Sequence, residues 1–306
     1  MSDKVVLITG ATDGLGKIAA AKFLAAGNTV IITGRSETKL NATATWLSDQ
    51  QQQQQTTRLY TIFLDLASLE SVRQAVDAFR ALGLGKIDVL INNAGTTTYE
   101  REYVAETTAV EKTVFVNAVA PWYFTQLLLP HMNDATGSRI LFVTSSLHDP
   151  NVRGGQRKND KGLPTHVTLD SLDGHIAWES MLFYKISKLT QLWLASVLGE
   201  QLKSQRIQVI ALCPGFVPTT SLNRNTSWFL RLLMYYVISR MSFATSEEDA
   251  ADDYVYYAHD EEIEREGFYY RKRQVAEPSE DARNSDKAKQ FWNMTCDICH
   301  VPEKRI

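Results

Sequence analysis

The chain has 306 residues, 44% of them hydrophobic and 22% charged, values of a globular protein with material for a real core. Its net charge of −3 offers no electrostatic drive toward nucleic acid or an anionic membrane surface, and its three cysteines are too few for a disulfide framework. Met1-Ser2-Asp3-Lys4 passes straight into the short apolar run Val5 to Thr9, too brief for a leader or a spanning segment. The expectation is a cytoplasmic protein of enzyme size.

Lys4 to Thr9 (KVVLIT) reads as a parallel strand buried on both faces. It runs into Thr9-Gly10-Ala11-Thr12-Asp13-Gly14-Leu15-Gly16, a helical pattern from Lys17 to Ala26, and a second strand from Thr29 to Thr33. Strand, glycine turn, helix and strand make a βαβ unit of the dinucleotide-binding type. Gly10 permits the turn, Gly14 the approach of a pyrophosphate, and Gly16 close packing of helix on sheet. Gly10, Thr12, Asp13, Gly14, Leu15 and Gly16 are thus candidate cofactor contacts, with the helix N-terminus offering amides to phosphate. Arg35, helped by Lys17, suits a 2′-phosphate and so NADP(H). Glu37 is the competing NAD-type acid, or a first-turn residue of a helix capped by Ser36.

Lys39 to Leu47 reads as helical, and Gln50 to Gln55 follow as a tolerated surface expansion. Arg58 to Leu64 is the third strand; Asp65-Leu66 at its end can meet an adenine, or Asp65 can bond the helix opened by Ser68 and running to about Leu82. Lys86 to Ile91 is the fourth strand and leads to Asn92-Asn93-Ala94-Gly95, placed to brace the cofactor loop. Thr107 to Leu129 reads as one long helix with Asn117 among apolar neighbours, and Arg139 to Ser145 as the fifth strand, ending beside Ser146. A polar, irregular stretch from Leu147 to Ala177 follows.

Leu182 to Leu202 is an amphipathic helix carrying Tyr184 and Lys188 one turn apart on one face. A phenol, with an ordinary pKa of about 10, needs help to exchange a proton near neutrality. A fixed ammonium alongside is expected to lower that value. Arg206 to Leu212 is the sixth strand and ends in Cys213-Pro214-Gly215-Phe216-Val217-Pro218-Thr219. Ser227 to Phe243 is apolar and interrupted by Arg231 and Arg240, which reads as a helical lid near 220–243 over a greasy substrate, or as a segment resting on a membrane surface. A helix capped by Ser246, a strand from Gly267 to Arg271 and a helix from Ser285 to Cys296 complete the chain. Cys296-Asp-Ile-Cys299-His300 has the letters of a haem-attachment motif, but lacks an export route and following chain to enclose a haem, and is read as a tail with surface thiols.

Thr9-Gly-x-x-x-Gly14-x-Gly16, Asn92-Asn93-Ala94-Gly95, Asn117, Ser146, Tyr184-x-x-x-Lys188 and Pro214-Gly215, in that order, resemble the short-chain dehydrogenase/reductase family over about residues 4 to 275. Gly34-Arg35, the extended loop before the tyrosine, Thr245-Ser246-Glu247-Glu248 and Phe291-Trp292 resemble its retinol dehydrogenase-like NADP-dependent reductases. The resemblance implies one Rossmann-type, doubly wound parallel sheet flanked by helices over 1–306, with inserts at 48–57 and 147–177 and a helical tail at 284–306. It implies Tyr184 as proton donor and acceptor, and Lys188 as holder of the nicotinamide ribose that also lowers the tyrosine's pKa. Ser146, or its neighbour Ser145, would orient the carbonyl, and Asn117 would anchor a water relay to Lys188. Asn93, Ala94, Gly95, Pro214, Gly215, Val217 and Thr219 would line the cofactor, with Asp65 and Leu66 at the adenine. The implied substrate is a small lipophilic ketone, aldehyde or alcohol, and the implied assembly a homodimer. Leu147-His148-Asp149-Pro150 and the following insert depart from the family pattern, as does the lack of an N-terminal membrane anchor. The rival reading, a regulatory protein that binds NADP(H) without turnover, is opposed by the intact Asn117, Ser146, Tyr184 and Lys188.

Overall fold

The computed structural model describes residues 3–50, 58–134, 137–152, 164–217, 245–260 and 268–306. Its frame is an eight-stranded sheet in the order β3-β2-β1-β4-β5-β6-β7-β8. The strands are β1 (Val5–Ile8), β2 (Thr29–Gly34), β3 (Leu59–Phe63), β4 (Val89–Asn92), β5 (Ser138–Val143), β6 (Ile207–Cys213), β7 (Tyr269–Arg271) and β8 (Gln274–Val275). Every pairing is parallel except β7 with β8. The winding reverses between β1 and β4, so a crevice opens at their carboxyl ends.

Unbroken apolar strands need cover on both faces. On one side α1 (Gly14–Ala25), α2 (Glu37–Gln50) and α7 (Glu247–His259) pack through Phe23, Leu40, Leu47 and Tyr254. The other side carries α3 (Leu69–Ala81), a kinked helix and α6 (Ser180–Leu202), backed by α8 (Ser285–Ile298). Ser36, Ser68 and Ser246 cap their helices as expected, each hydroxyl accepting an amide of the first turn. Among the described residues no helix is long and apolar enough to cross a membrane.

The structure corrects the reading of one long helix from Thr107. Regular helix begins only at α4 (Lys112–Val114), after Glu111 caps it through a 2.6 Å bond from the Thr113 amide. It then widens into a π turn at Phe115–Val119 before resuming as α5 (Ala120–Leu128). Pro121 explains the widening: it has no N–H to return to the carbonyl of Asn117 four residues earlier. The strand expected from Gly267 to Arg271 is β7, but its antiparallel partner β8 was not foreseen; the turn between them, Lys272-Arg273, holds both residues at positive φ, 51° and 59°, as a tight hairpin demands.

The C-terminal thiols are not at the surface either. Cys296 is buried on the inner face of α8, and Cys299, which caps that helix, is buried too. That helix is fixed by its aromatics: Trp292 lies edge-on to Trp122 with centroids 4.9 Å apart, and Phe291 meets Trp193. Residues 220–243, with the expected lid, and most of the glutamine tract lie outside the described residues, as does Thr219.

Truncating a fully buried tryptophan leaves an unfilled cavity. Trp292→Ala is therefore expected to cost about 3–5 kcal/mol, read as a lower urea midpoint with unchanged slope.

Candidate active site

The glycine turn is built around Thr9 and Asn93. Thr9 Oγ1 accepts the amides of Asn93 and Ala94, both at 3.0 Å. In return Asn93 Nδ2 donates to the carbonyls of Thr9 (2.8 Å) and Gly10 (3.2 Å). This stitching leaves no room for side chains. A Cβ on Gly10, whose φ is +66°, would lie 2.8 Å from Ala94 Cα, and one on Gly16 would lie 2.6 Å from Asn93 Nδ2. Gly14 faces open space instead, with nothing within 4 Å of its missing Cβ. Asp13 caps α1 by accepting the Gly14 amide at 2.9 Å. The amides of Leu15 and Gly16 belong to the first helical turn, where the helix has no carbonyls to offer. An open glycine surface beside unsatisfied helix-end amides fits a dinucleotide pyrophosphate.

At the end of β2, Gly34 presses on Thr12, and Arg35 next to it is exposed and in no ion pair among the described residues. Glu37 lies in the first turn of α2. Lys17 is less free, its ammonium resting 4.0 Å from the centre of the Trp46 ring. Asp65 accepts the Ala67 amide through one carboxylate oxygen, ahead of α3 rather than at its first turn, and Leu66 beside it is buried.

Across the crevice, the start of α6 carries the second half. The Ser145 hydroxyl faces the Tyr184 phenol and opposes the effect of burial on it. Ser146 engages through its amide, which donates to Cys213 Sγ at 3.1 Å. Of the two serines weighed from sequence, Ser145 is the one whose hydroxyl acts on the tyrosine's proton affinity. Lys188 donates to the carbonyl of Val143 at 2.8 Å, and its ammonium lies 5.7 Å from the centre of the Tyr184 ring. Gly95 joins the halves: a Cβ there would stand 3.7 Å from Asn117 Oδ1 and 3.9 Å from Lys188 Nζ. Asn117 sits in the π turn with its side chain clamped, Oδ1 accepting the Thr96 amide and Nδ2 donating to Thr96 O and Ser187 Oγ. Pro214, Gly215 and Val217 follow β6, Gly215 at φ +88°.

The electrostatics differ from the simple expectation. Burial holds the Tyr184 phenol well above its ordinary range, the nearby Cys213 thiol adds to this, and only the Ser145 hydroxyl opposes it. Burial also pushes the Lys188 ammonium down to about 8. In the protein alone, desolvation therefore outweighs any lowering of the tyrosine by the lysine.

Two further residues support the site without any sequence pattern marking them. Tyr254 of α7 donates to Asn93 Oδ1 at 2.9 Å, bracing the amide that holds the glycine turn. His148, 2% exposed, accepts the Ser279 amide at Nε2 (3.2 Å), so its proton is on Nδ1, which donates to the Ser145 carbonyl at 2.7 Å. The departure from the family pattern at Leu147-His148 is thus a clamp on the serine turn.

A parallel sheet with a glycine turn at its switch point, faced by a half-buried tyrosine and a buried lysine, defines a Rossmann-type oxidoreductase. A family profile described as short chain dehydrogenase matches residues 4–154. The chain is 30% identical over 296 residues to polyprenol dehydrogenase of Mus musculus, covering 94% of this chain and 82% of that one. It is 28% identical over 309 residues to human retinol dehydrogenase 14, covering 96% and 86%. Among solved structures, L-sorbose reductase of Gluconobacter frateurii, complexed with NADPH and L-sorbose, superposes with a TM-score of 0.65 at 19% identity, over 93% of this chain and 98% of that one. The chain belongs to the short-chain dehydrogenase/reductase family and is similar to its retinol dehydrogenases.

Burial lowers the pKa of His148 below its ordinary 6.5. A histidine depressed in the folded state contributes stability above about pH 6.5, and that contribution is lost as pH falls toward the folded value. His131 and His259 shift in the same direction. Urea midpoints are therefore expected to fall between pH 7 and 5, and His148→Gln to make that fall shallower.

Proposed function

We propose that the protein interconverts a bulky lipophilic ketone or aldehyde and its alcohol with NADP(H), working as a single catalytic unit. The observation that carries this reading is the meeting of Tyr184, Ser145 and Lys188 at the strand ends, within reach of Gly95 and the glycine turn. When bound, the nicotinamide supplies or takes the hydride; the residues of the chain do the rest.

Gly14, the amides of Leu15 and Gly16, and the neighbouring Thr12 and Asp13 receive the pyrophosphate. Arg35 is the cation available for a 2′-phosphate, and its lack of an ion pair among the described residues favours NADP(H) over NAD(H). Asp65 and Leu66 border the adenine, and Asn93, Ala94, Gly95, Pro214, Gly215 and Val217 border the nicotinamide side. Lys188 holds the ribose with the N–H that Val143 and Gln191 leave to it.

In reduction, the substrate oxygen takes the Tyr184 proton as negative charge develops on it, and Ser145, or Ser146 beside it, donates a hydrogen bond to that oxygen. A phenol raised by burial stays protonated through neutrality, which suits proton donation. In oxidation the same phenol must first be deprotonated, so alcohol oxidation is expected to favour higher pH than carbonyl reduction. The lipophilic substrate is supported by the apolar Trp228–Phe243 segment and by relatives named for polyprenol and retinol, both lipid alcohols.

Purified protein is expected to oxidise NADPH in the presence of a lipophilic carbonyl. Tyr184→Phe is expected to lower turnover by about 10²–10⁴-fold while NADPH binding by fluorescence titration holds. Undiminished turnover in that variant, or no NADPH consumption across a broad carbonyl panel, overturns the reading. Arg35→Ala is expected to weaken NADPH by about 10–100-fold and NADH little, because one charge-assisted contact is lost.

A further inference from the structure

Lys188 is buried, and burying an ammonium demands strong partners. One is the Val143 carbonyl at 2.8 Å; the other is the side chain of Gln191, whose Oε1 stands at a long 3.5 Å. The far end of that amide is also engaged: Gln191 Nε2 donates to the main-chain carbonyl of Asn117 at 3.1 Å. Gln191 is only 1% exposed. The Asn117 carbonyl is open to a side-chain donor because Pro121 has no N–H to return to it. The Asn117 side chain is clamped by Thr96 and Ser187, so its carbonyl is held in place.

We propose that Gln191 is a positioning residue for the reaction, a buried amide that ties the Lys188 ammonium directly to the main-chain carbonyl of Asn117. The proposal rests on the reading of Lys188 as the ribose-holding, charge-bearing group of the site.

Only one orientation of this amide satisfies both neighbours. Reversed, it would set an NH₂ against an ammonium and an oxygen against a carbonyl. The amide dipole is thereby fixed with its negative end toward Lys188, where it stabilises the charged form against desolvation. A side-chain amide neither releases nor takes up a proton near neutrality. The link holds Lys188 in place and does not pass a proton on to Asn117. Among the described residues, the titratable groups facing Lys188 are Tyr184 on its own helix and Cys213 at the end of β6. The π turn, β5 and the serine turn present it with neutral groups.

The test is a titration of Lys188 in the cofactor-free protein, followed by NMR of ¹³Cε-labelled lysine and assigned with Lys188→Met. Gln191→Leu removes the oxygen and is expected to raise the proton-dissociation constant of Lys188 about tenfold; Gln191→Glu places a carboxylate there and is expected to lower it about tenfold. The pH profile of NADPH-dependent reduction is expected to move in the same directions, with a larger effect on kcat than on KM. Lys188 titrating in Gln191→Glu as in the unaltered protein overturns the proposal, and this arm decides alone if Gln191→Leu does not fold. Absence of NADPH turnover in the unaltered protein would count against the proposed function, while the titration would still decide the role of Gln191.

Discussion

The site depends on one amide group. Asn93, at the end of β4, donates to two successive carbonyls of the glycine turn that ends β1, and the Thr9 hydroxyl takes two amides back. These strands flank the point where the sheet reverses its winding, the one place where adjacent loops lead away to opposite faces. Without a cross-tie the crevice would have no defined width. With it, the backbone of one rim is fixed against the other, and the space left where Gly14 lacks a side chain has a stable shape. Tyr254 extends the tie to α7, so helices on one face hold the mouth in place.

The second half is governed by burial. Tyr184 and Lys188 sit on a helix packed against β6, α8 and the π turn, where water cannot stabilise charge. Both groups are driven toward neutral forms, the phenol upward and the ammonium downward. The protein offsets this with aimed dipoles: the Val143 carbonyl, the Gln191 amide and the Ser145 hydroxyl. Any ligand arriving here meets groups whose proton affinities are already displaced from those in water.

Much of the sheet was legible because parallel strands buried on both faces are plain apolar runs, and the glycine turn had a strand and a helix to give it meaning. Asn93, Tyr184 and Lys188 could be singled out for the same reason. What escaped was whatever depends on contact between distant segments. No periodicity marks Tyr254 as a brace or His148 as the clamp on Ser145, because both act through partners more than 120 residues away. The helix break at Asn117 was readable in principle, since Pro121 removes the one N–H an α-helix needs there, but the apolar pattern through Val114, Phe115 and Val119 masked it. The upward shift of Tyr184 was missed because spacing reveals the charge nearby and not the water removed.

The reach of His148 to Ser279 bears on how the protein matures as it leaves the ribosome. The glycine turn, its helix and the β4 tie all lie within the first 95 residues, while Tyr254, which braces them, comes later. The serine turn is different: its clamp is residue 279, and α8, which backs the tyrosine helix, ends at Ile298. One rim of the crevice can take shape while synthesis continues, whereas the other is completed only once residues 279–298 have been made. A product truncated before residue 279 would thus carry a formed glycine turn with no organised serine turn opposite it.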